Sequence, residues 1–581
     1  MLQGNPMSTV LSPNESAKTA RRGHGQFDRP LSYYYNGNIL TMNRTAPVSP
    51  HMLLAGDRVW HCDPSAAPLG LDFRESDFSR TRESMRGQVR FVDLRGRTVI
   101  PGICDAHAHF LMWGRALAQV DLSSARSEED CLRLVAERAA VTPKGEWIRG
   151  FGWAHNLWDK PALPSRDSLD RLFPDNPVYL QSKCYHVIWV NSAALKVAGV
   201  DESTETPAGG EIEKKNGRLT GIFKEDANDL IANAVGPVTQ TQWYEAMARA
   251  QQVAHSLGIT SMHTPEYMEM WDFLQTAHSE EKLSMRVNFW MPVAHLDELI
   301  AVHTRHGLGD DRLRVSAIKA FMDGSLGGRT ALMYEDYENE PGNTGIEVTD
   351  AQTIIDYTLK ANAAGLSMAV HAIGDLAVGN VLTAYEKAAE KFGRHGDTRS
   401  NSVLRNRIEH LQVFHDKDLE RIKKIKPVAS FQPIHLCADM GPADRFWGAR
   451  AKNAYACRTA AEAGCLLVFG SDVPVEPCNP FWGLYAATTR NNLEGHPGTG
   501  WNAAEKISLQ DSLEAYTLNC AIASGQQDRL GSLEPGKLAD FVVLPDDPFE
   551  CSPENLRDML PLATFSGGEV LYAAADVQGE L

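Results

Sequence analysis

Several things are missing from this 581-residue chain. No apolar run approaches the roughly 20 residues of a membrane-spanning helix. No two cysteines stand in a CxxC spacing, and the ten cysteines follow no regular pattern. That argues against a disulfide framework and for reduced thiols, so a cytoplasmic location is expected. Basic patches are absent too. The net charge is −17, spread without long acidic blocks. This speaks against nucleic acid or an anionic membrane as partner, since both call for basic surfaces. There are no internal repeats. The first thirty residues lack the apolar core of a secretory signal, and residues 1–30 are expected to be a disordered tail.

What the chain does have is alternation. Eight short β-rich runs recur: "RTVIPGICDAH", "LGITSMHTPE", "LSMRVNFWMPV", "LRVSAIKAFMDG", "LSMAVHAIGD", "NRIEHLQV", "KPVASFQP" and "CLLVFGSDVP". Most are separated by helix-compatible stretches such as "AQTIIDYTLKANAAG". Strand–helix alternation predicts an α/β fold with a parallel sheet, and eight strands predict a (β/α)8 TIM-like barrel. The barrel is expected over 99–110 plus 241–529. Strand-like pieces in 31–98 and 530–576 are expected to combine into one small β module from both chain ends. Residues 111–240 are far longer than a plain connection needs, so they are expected to form an inserted, lid-like subdomain.

The first run ends in "PGICDAHAHF". On a strand, alternate side chains share a face, so Asp105, His107 and His109 would point together into the barrel mouth. Imidazole is a common metal ligand, and a nearby carboxylate can orient it through its second nitrogen. Later runs close the same way: His371 in "MAVHAIGD", His410 in "RIEH" and Asp472 in "VFGSD". Polar residues that each end an apolar strand describe a converging metal site. Nitrogen and carboxylate ligands without thiolates suit Zn²⁺ most, with Mn²⁺, Fe²⁺ or Ni²⁺ as alternatives. No serine or cysteine triad competes: "GSLGG" does not match GxSxG.

Taken together, "PGICDAHAHF", "IKAFMDGSLG", "HAIGD", "RIEHLQ", "SFQPIH" and "GSDVPVEPCNPFWGL" resemble the successive signatures of the amidohydrolase superfamily, in particular its family 3 branch, which includes N-substituted formamide deformylases. The resemblance implies that His107 and His109 hold a buried metal, that His371 and His410 hold a second, and that Asp472 touches the first and handles protons. It further implies one or two Zn²⁺ ions, bridged in the two-metal form by a carboxylated Lys319. The implied reaction is attack of metal-activated hydroxide on a carbonyl of a small-molecule amide, cleaving a non-peptide C–N bond. A deaminase or cyclic amidase acting on a heterocycle, and an inactive binding protein on the same fold, stay open, as does a homodimer. His186 resembles an inserted-domain histidine reaching toward the substrate carbonyl. Trp153, Arg329, Gln432 and His435 are candidate substrate contacts, and Trp158, Trp189 and Trp447 candidate pocket walls.

Overall fold

The computed structural model describes residues 30–63, 82, 85, 87–155, 158–182, 187–207, 210–393 and 404–581. Apart from Pro30, the expected tail lies outside the described residues.

Each of the eight apolar runs carries a barrel strand. These are β1 Ile103–Asp105, β2 Ile259–Pro265, β3 Arg286–Pro292, β4 Leu313–Phe321, β5 Met368–Ala372, β6 Arg407–His410, β7 Val428–Phe431 and β8 Leu466–Phe469. They pair in sequence order, and every pairing is parallel. Parallel strands covered on both faces read as continuous apolar runs rather than alternating ones, and Leu467, Val468 and Phe469 of β8 are buried. Between strands run helices with one apolar face. The helix Ala351–Ala363 buries Ile354, Thr358 and Ala361 at helical spacing and starts where the Asp350 side chain accepts from Thr353 N. The architecture is a TIM-like barrel.

The sheet closes beyond the ends of its first and last strands. Ala106 N donates to Phe469 O (2.9 Å), Asp472 N to His107 O (2.6 Å) and His109 N to Val473 O (2.8 Å). Residues 106–109 and 469–473 thus lie side by side. At Gly470 the approach is too close for a side chain, since an added Cβ would stand 2.5 Å from His107 N.

The first barrel strand begins later than expected. Thr98–Pro101 belongs to a six-stranded sheet with Asn38–Leu40, Val48–Ser49, Phe541–Leu544, Ala563–Ser566 and Glu569–Ala573. Gly102 is the switch: its N–H goes to Asp540 O, while the next, on Ile103, goes to Gly258 O. A Cβ there would meet Thr260 Oγ1 at 2.4 Å, so only glycine passes between the two sheets. A second, four-stranded sheet comes from Leu31–Tyr35, Met52–Ala55, Arg58–His61 and Val89–Asp93 alone. Tyr34, Met52 and Val92 of this sheet share a core with Ile39, Val99, Phe541 and Phe565 of the other. Arg286 of β3 joins barrel to module through paired bonds to Asp540 (2.6 and 2.8 Å).

Leu111–Arg249 is a compact unit of its own, and the chain on either side of it forms the other unit. This inserted unit holds a six-stranded mixed sheet running in space from Gly210–Lys215 to Val120–Asp121.

Candidate metal centre

His107 and His109 lie just past the end of β1, in the segment that bonds to residues 469–473, not on the strand itself. Strand alternation is therefore not what aligns them; the seam is. His107 Nε2 stands 3.4 Å and His109 Nε2 3.2 Å from Asp472 Oδ1. These three residues are a group whose ligand atoms all lie within 4.8 Å of one another. His371 sits near the end of β5, and His410 ends β6. The His410 ring centroid is 4.5 Å from that of His371 and 4.9 Å from that of His107. Lys319, near the end of β4, is buried with its Nζ 4.7 Å from the Phe321 ring centroid and 5.9 Å from that of Trp290. The backbone is left-handed at His410 (φ 73°), Leu411 (φ 42°) and Asp472 (φ 59°). Non-glycine residues take this conformation rarely, and such strain concentrates at functional sites.

Three of the four rings have a partner for one nitrogen. His107 Nδ1 faces Glu409 Oε2 at 2.7 Å, His410 Nδ1 faces Gln432 Oε1 at 2.8 Å, and His371 Nε2 faces Gly324 O at 2.9 Å. An acceptor there fixes the proton on that nitrogen and leaves the other as a lone-pair donor. Glu409 is in turn gripped by Arg407, whose Nε donates to Oε1 at 2.6 Å. Asp323 accepts from the backbone of Leu332, Ile373 and Gly374, tying the β4 loop to the end of β5.

Burial sets the charges. It holds the His107 imidazole down at about 4 and that of His371 at about 3, and it lowers His410 well below its ordinary value. Lys319 is brought down to about 8 by burial, against the pull of Glu409 and Asp472. Burial would raise the carboxyls of Glu409 and Asp472. It is overcome by Arg407 and His107 at the first, and by the surrounding histidines at the second, so both lie well below their usual range. His109 goes the other way: burial lowers its imidazole, but the neighbouring Asp472 carboxylate outweighs this and raises it. Three rings held neutral, with His109 beside an ionised carboxylate, are a donor set for a divalent cation.

Gln432 is buried, and its Oε1 lies 2.8 Å from His410 Nδ1. His435 donates from Nε2 to Ser471 O (3.0 Å), bracing the residue before Asp472. Arg329 occupies a left-handed turn (φ 54°), paired with Glu340 and stacked toward Phe446. Trp153 is wholly buried in the core of the inserted unit with Trp158 and Trp189, and its Nε1 donates to Leu180 O. Trp447 packs in another core, with Tyr337 and Leu436. These tryptophans are cores, not pocket walls. His186 lies outside the described residues. Asp105 does not orient a ring: it accepts from His107 N, Ser471 N and Ser471 Oγ and fastens the seam. The carboxylate that does orient a ring, Glu409, escaped the sequence reading, although it stands beside His410 in "RIEH".

One observation tests whether a cation fits. Asp472 Oδ1 is buried, with the Nε2 atoms of His107 and His109 standing 3.4 and 3.2 Å from it, and His109 Nδ1 has no partner. Two imidazole nitrogens and a carboxylate oxygen converging this closely suit an ion between them.

Residues 90–572 match a family described as Amidohydrolase family. The chain belongs to the amidohydrolase family. It is similar to the YtcJ protein of Bacillus subtilis, 34% identical over 486 residues (83% of this chain, 90% of that one). It is also similar to N-substituted formamide deformylase of Arthrobacter pascens, 25% identical over 568 residues (92% and 97%). Among solved structures, a metal-dependent hydrolase of Pyrococcus horikoshii superposes with a TM-score of 0.72 at 27% identity, covering 90% of this chain and 99% of that one. As an amidohydrolase, this chain is a hydrolytic enzyme of a metal-dependent family.

Proposed function

We propose that this hydrolase cleaves a non-peptide C–N bond in an N-substituted amide or formamide, using one or two Zn²⁺ ions held by His107, His109, His371, His410 and Asp472, with Lys319 as the bridging residue of a two-metal form. The observation that carries the reading is the convergence of His107 Nε2 and His109 Nε2 on Asp472 Oδ1 at the closing seam of the barrel. The similarity to a formamide deformylase along nearly its whole length supports the substrate class.

A divalent ion bound there supplies Lewis acidity and makes a water acidic near neutral pH. The chain's own residues do the rest. The Asp472 carboxylate, kept ionised, takes the proton of the attacking water and returns it to the leaving nitrogen. His107 and His410 keep their ring orientation through Glu409 and Gln432. Lys319, lowered to about 8, presents a neutral amine to CO₂ more readily than an exposed lysine, as N-carboxylation requires. A panel of N-substituted formamides and amides, assayed with metal-defined protein, tests the reading. Release of formate or another carboxylate with the matching amine is the expected result; ammonia release from heterocycles alone would replace it with the deaminase reading.

A further inference from the structure

The four histidines are not supported alike. His371 leans on a peptide carbonyl, His410 on a neutral amide, and His109 Nδ1 on nothing. Only His107 shares a short bond, 2.7 Å, with a carboxylate, that of Glu409, and both residues are buried. Glu409 is itself fixed on its other side. Arg407 donates from Nε to Oε1 (2.6 Å) and from Nη2 to Oε2 (3.3 Å). The same guanidinium reaches Ala106 O (3.0 Å), Ser430 Oγ (3.2 Å) and His263 Nδ1 (2.8 Å), and its Cζ lies over the Trp290 ring, 4.4 Å from the centroid. Trp290 also meets the His107 ring edge-on at 5.2 Å. Arg407 therefore spans three barrel strands and the backbone of the HxH segment. A buried arginine with every arm occupied has one way to sit, and it leaves Glu409 one way to sit.

We propose that Arg407 and Glu409 are positioning residues for the metal centre, locking His107 with its proton on Nδ1 and its Nε2 lone pair toward the ion. The proposal rests on the metal reading above. Its alternative is an ion pair that serves only the barrel core. Charge distinguishes the two. A carboxylate offers two acceptor oxygens, one for Arg407 and one for His107. A glutamine offers one oxygen and one NH₂, so either the guanidinium or the His107 N–H would face a donor. Outer carboxylates on ligating histidines typically contribute about 10–100-fold in metal affinity.

The test is Zn²⁺ affinity by competition with a chromophoric chelator, on wild type and Glu409→Gln, with apo-protein melting followed in parallel. Expected are a folded Glu409→Gln protein that binds Zn²⁺ about 10–100-fold more weakly, and a changed visible spectrum for its Co²⁺ form. Should Glu409→Gln not fold, Arg407→Met/Glu409→Gln removes both buried charges together, a change often neutral for a buried ion pair, and the same loss is expected. A folded variant with Zn²⁺ affinity within threefold of wild type overturns the proposal. So does failure of both variants to fold, which would assign the pair to the core alone. Wild type that binds no Zn²⁺ would instead overturn the metal reading beneath it.

Discussion

His107 and Asp472 meet twice: the Asp472 N–H donates to His107 O at 2.6 Å, and His107 Nε2 lies 3.4 Å from Asp472 Oδ1. One backbone bond that closes the barrel also brings a proposed base against a proposed ligand. Asp472→Asn should therefore keep the seam, since the bond is made by the main chain and asparagine accepts the left-handed backbone (φ 59°) readily. Its turnover should fall about 10²–10⁴-fold, the usual worth of general acid–base assistance, with at least one metal retained. Near-wild-type kcat in a metal-loaded Asp472→Asn protein would exclude the proton-transfer role.

Gly470→Ala probes the seam from the other side. Its Cβ would fall 2.5 Å from His107 N and 2.7 Å from Asp105 Oδ1, and neither has room to give. Overpacking of this kind costs about 1–3 kcal/mol. A lower melting temperature together with weaker Zn²⁺ binding is expected; a stability loss with unchanged Zn²⁺ affinity would separate the seam from the site.

Gln432→Leu distinguishes ring anchoring from substrate contact. Leucine fills similar space but strands the buried His410 Nδ1–H, at about 1–3 kcal/mol. Metal content and kcat should drop for every amide alike, leaving the order of preferred substrates unchanged. A reordered preference would return Gln432 to the substrate side.

Away from the site, His255 couples stability to pH. Its Nδ1 donates to Ile259 O (3.0 Å) and its Nε2 faces the Ser284 hydroxyl (2.9 Å). Burial lowers it from 6.5 to about 4. Between those values the unfolded chain binds the extra proton, so this contribution is complete above pH 6.5 and is lost as pH falls toward 4. The stability difference between wild type and His255→Gln should shrink by about 2 kcal/mol from pH 7.5 to pH 5, at 1.36 kcal/mol per pKa unit. A difference that does not change with pH would contradict it.

The strands were legible because strands buried on both faces are mainly apolar, although β2 carries buried Thr260, Ser261 and Thr264. The candidate ligands stood out because they are polar residues closing apolar runs. Other features lay beyond one-dimensional reading. Glu409 serves His107 across 302 positions of sequence. Arg407 and Glu409 share a strand face by alternation, and the alternation ends at His410, where the backbone turns left-handed. Thr98–Pro101 reads like the start of a barrel strand, and only the changed bonding partners at Gly102 assign it to the module. Tryptophan content does not distinguish the wall of a pocket from the core of an inserted unit, and Trp153 belongs to the core.

The central claim is that His107, His109 and Asp472, with His371, His410 and Lys319, hold a metal on which hydrolysis depends. The most direct measurement strips the protein with a chelator, confirms by elemental analysis that it is metal-free and by melting that it is folded, and follows amide hydrolysis as Zn²⁺ is returned. The account predicts no turnover without metal and recovery that saturates at one or two Zn²⁺ per chain. Full turnover by folded, metal-free protein would contradict it.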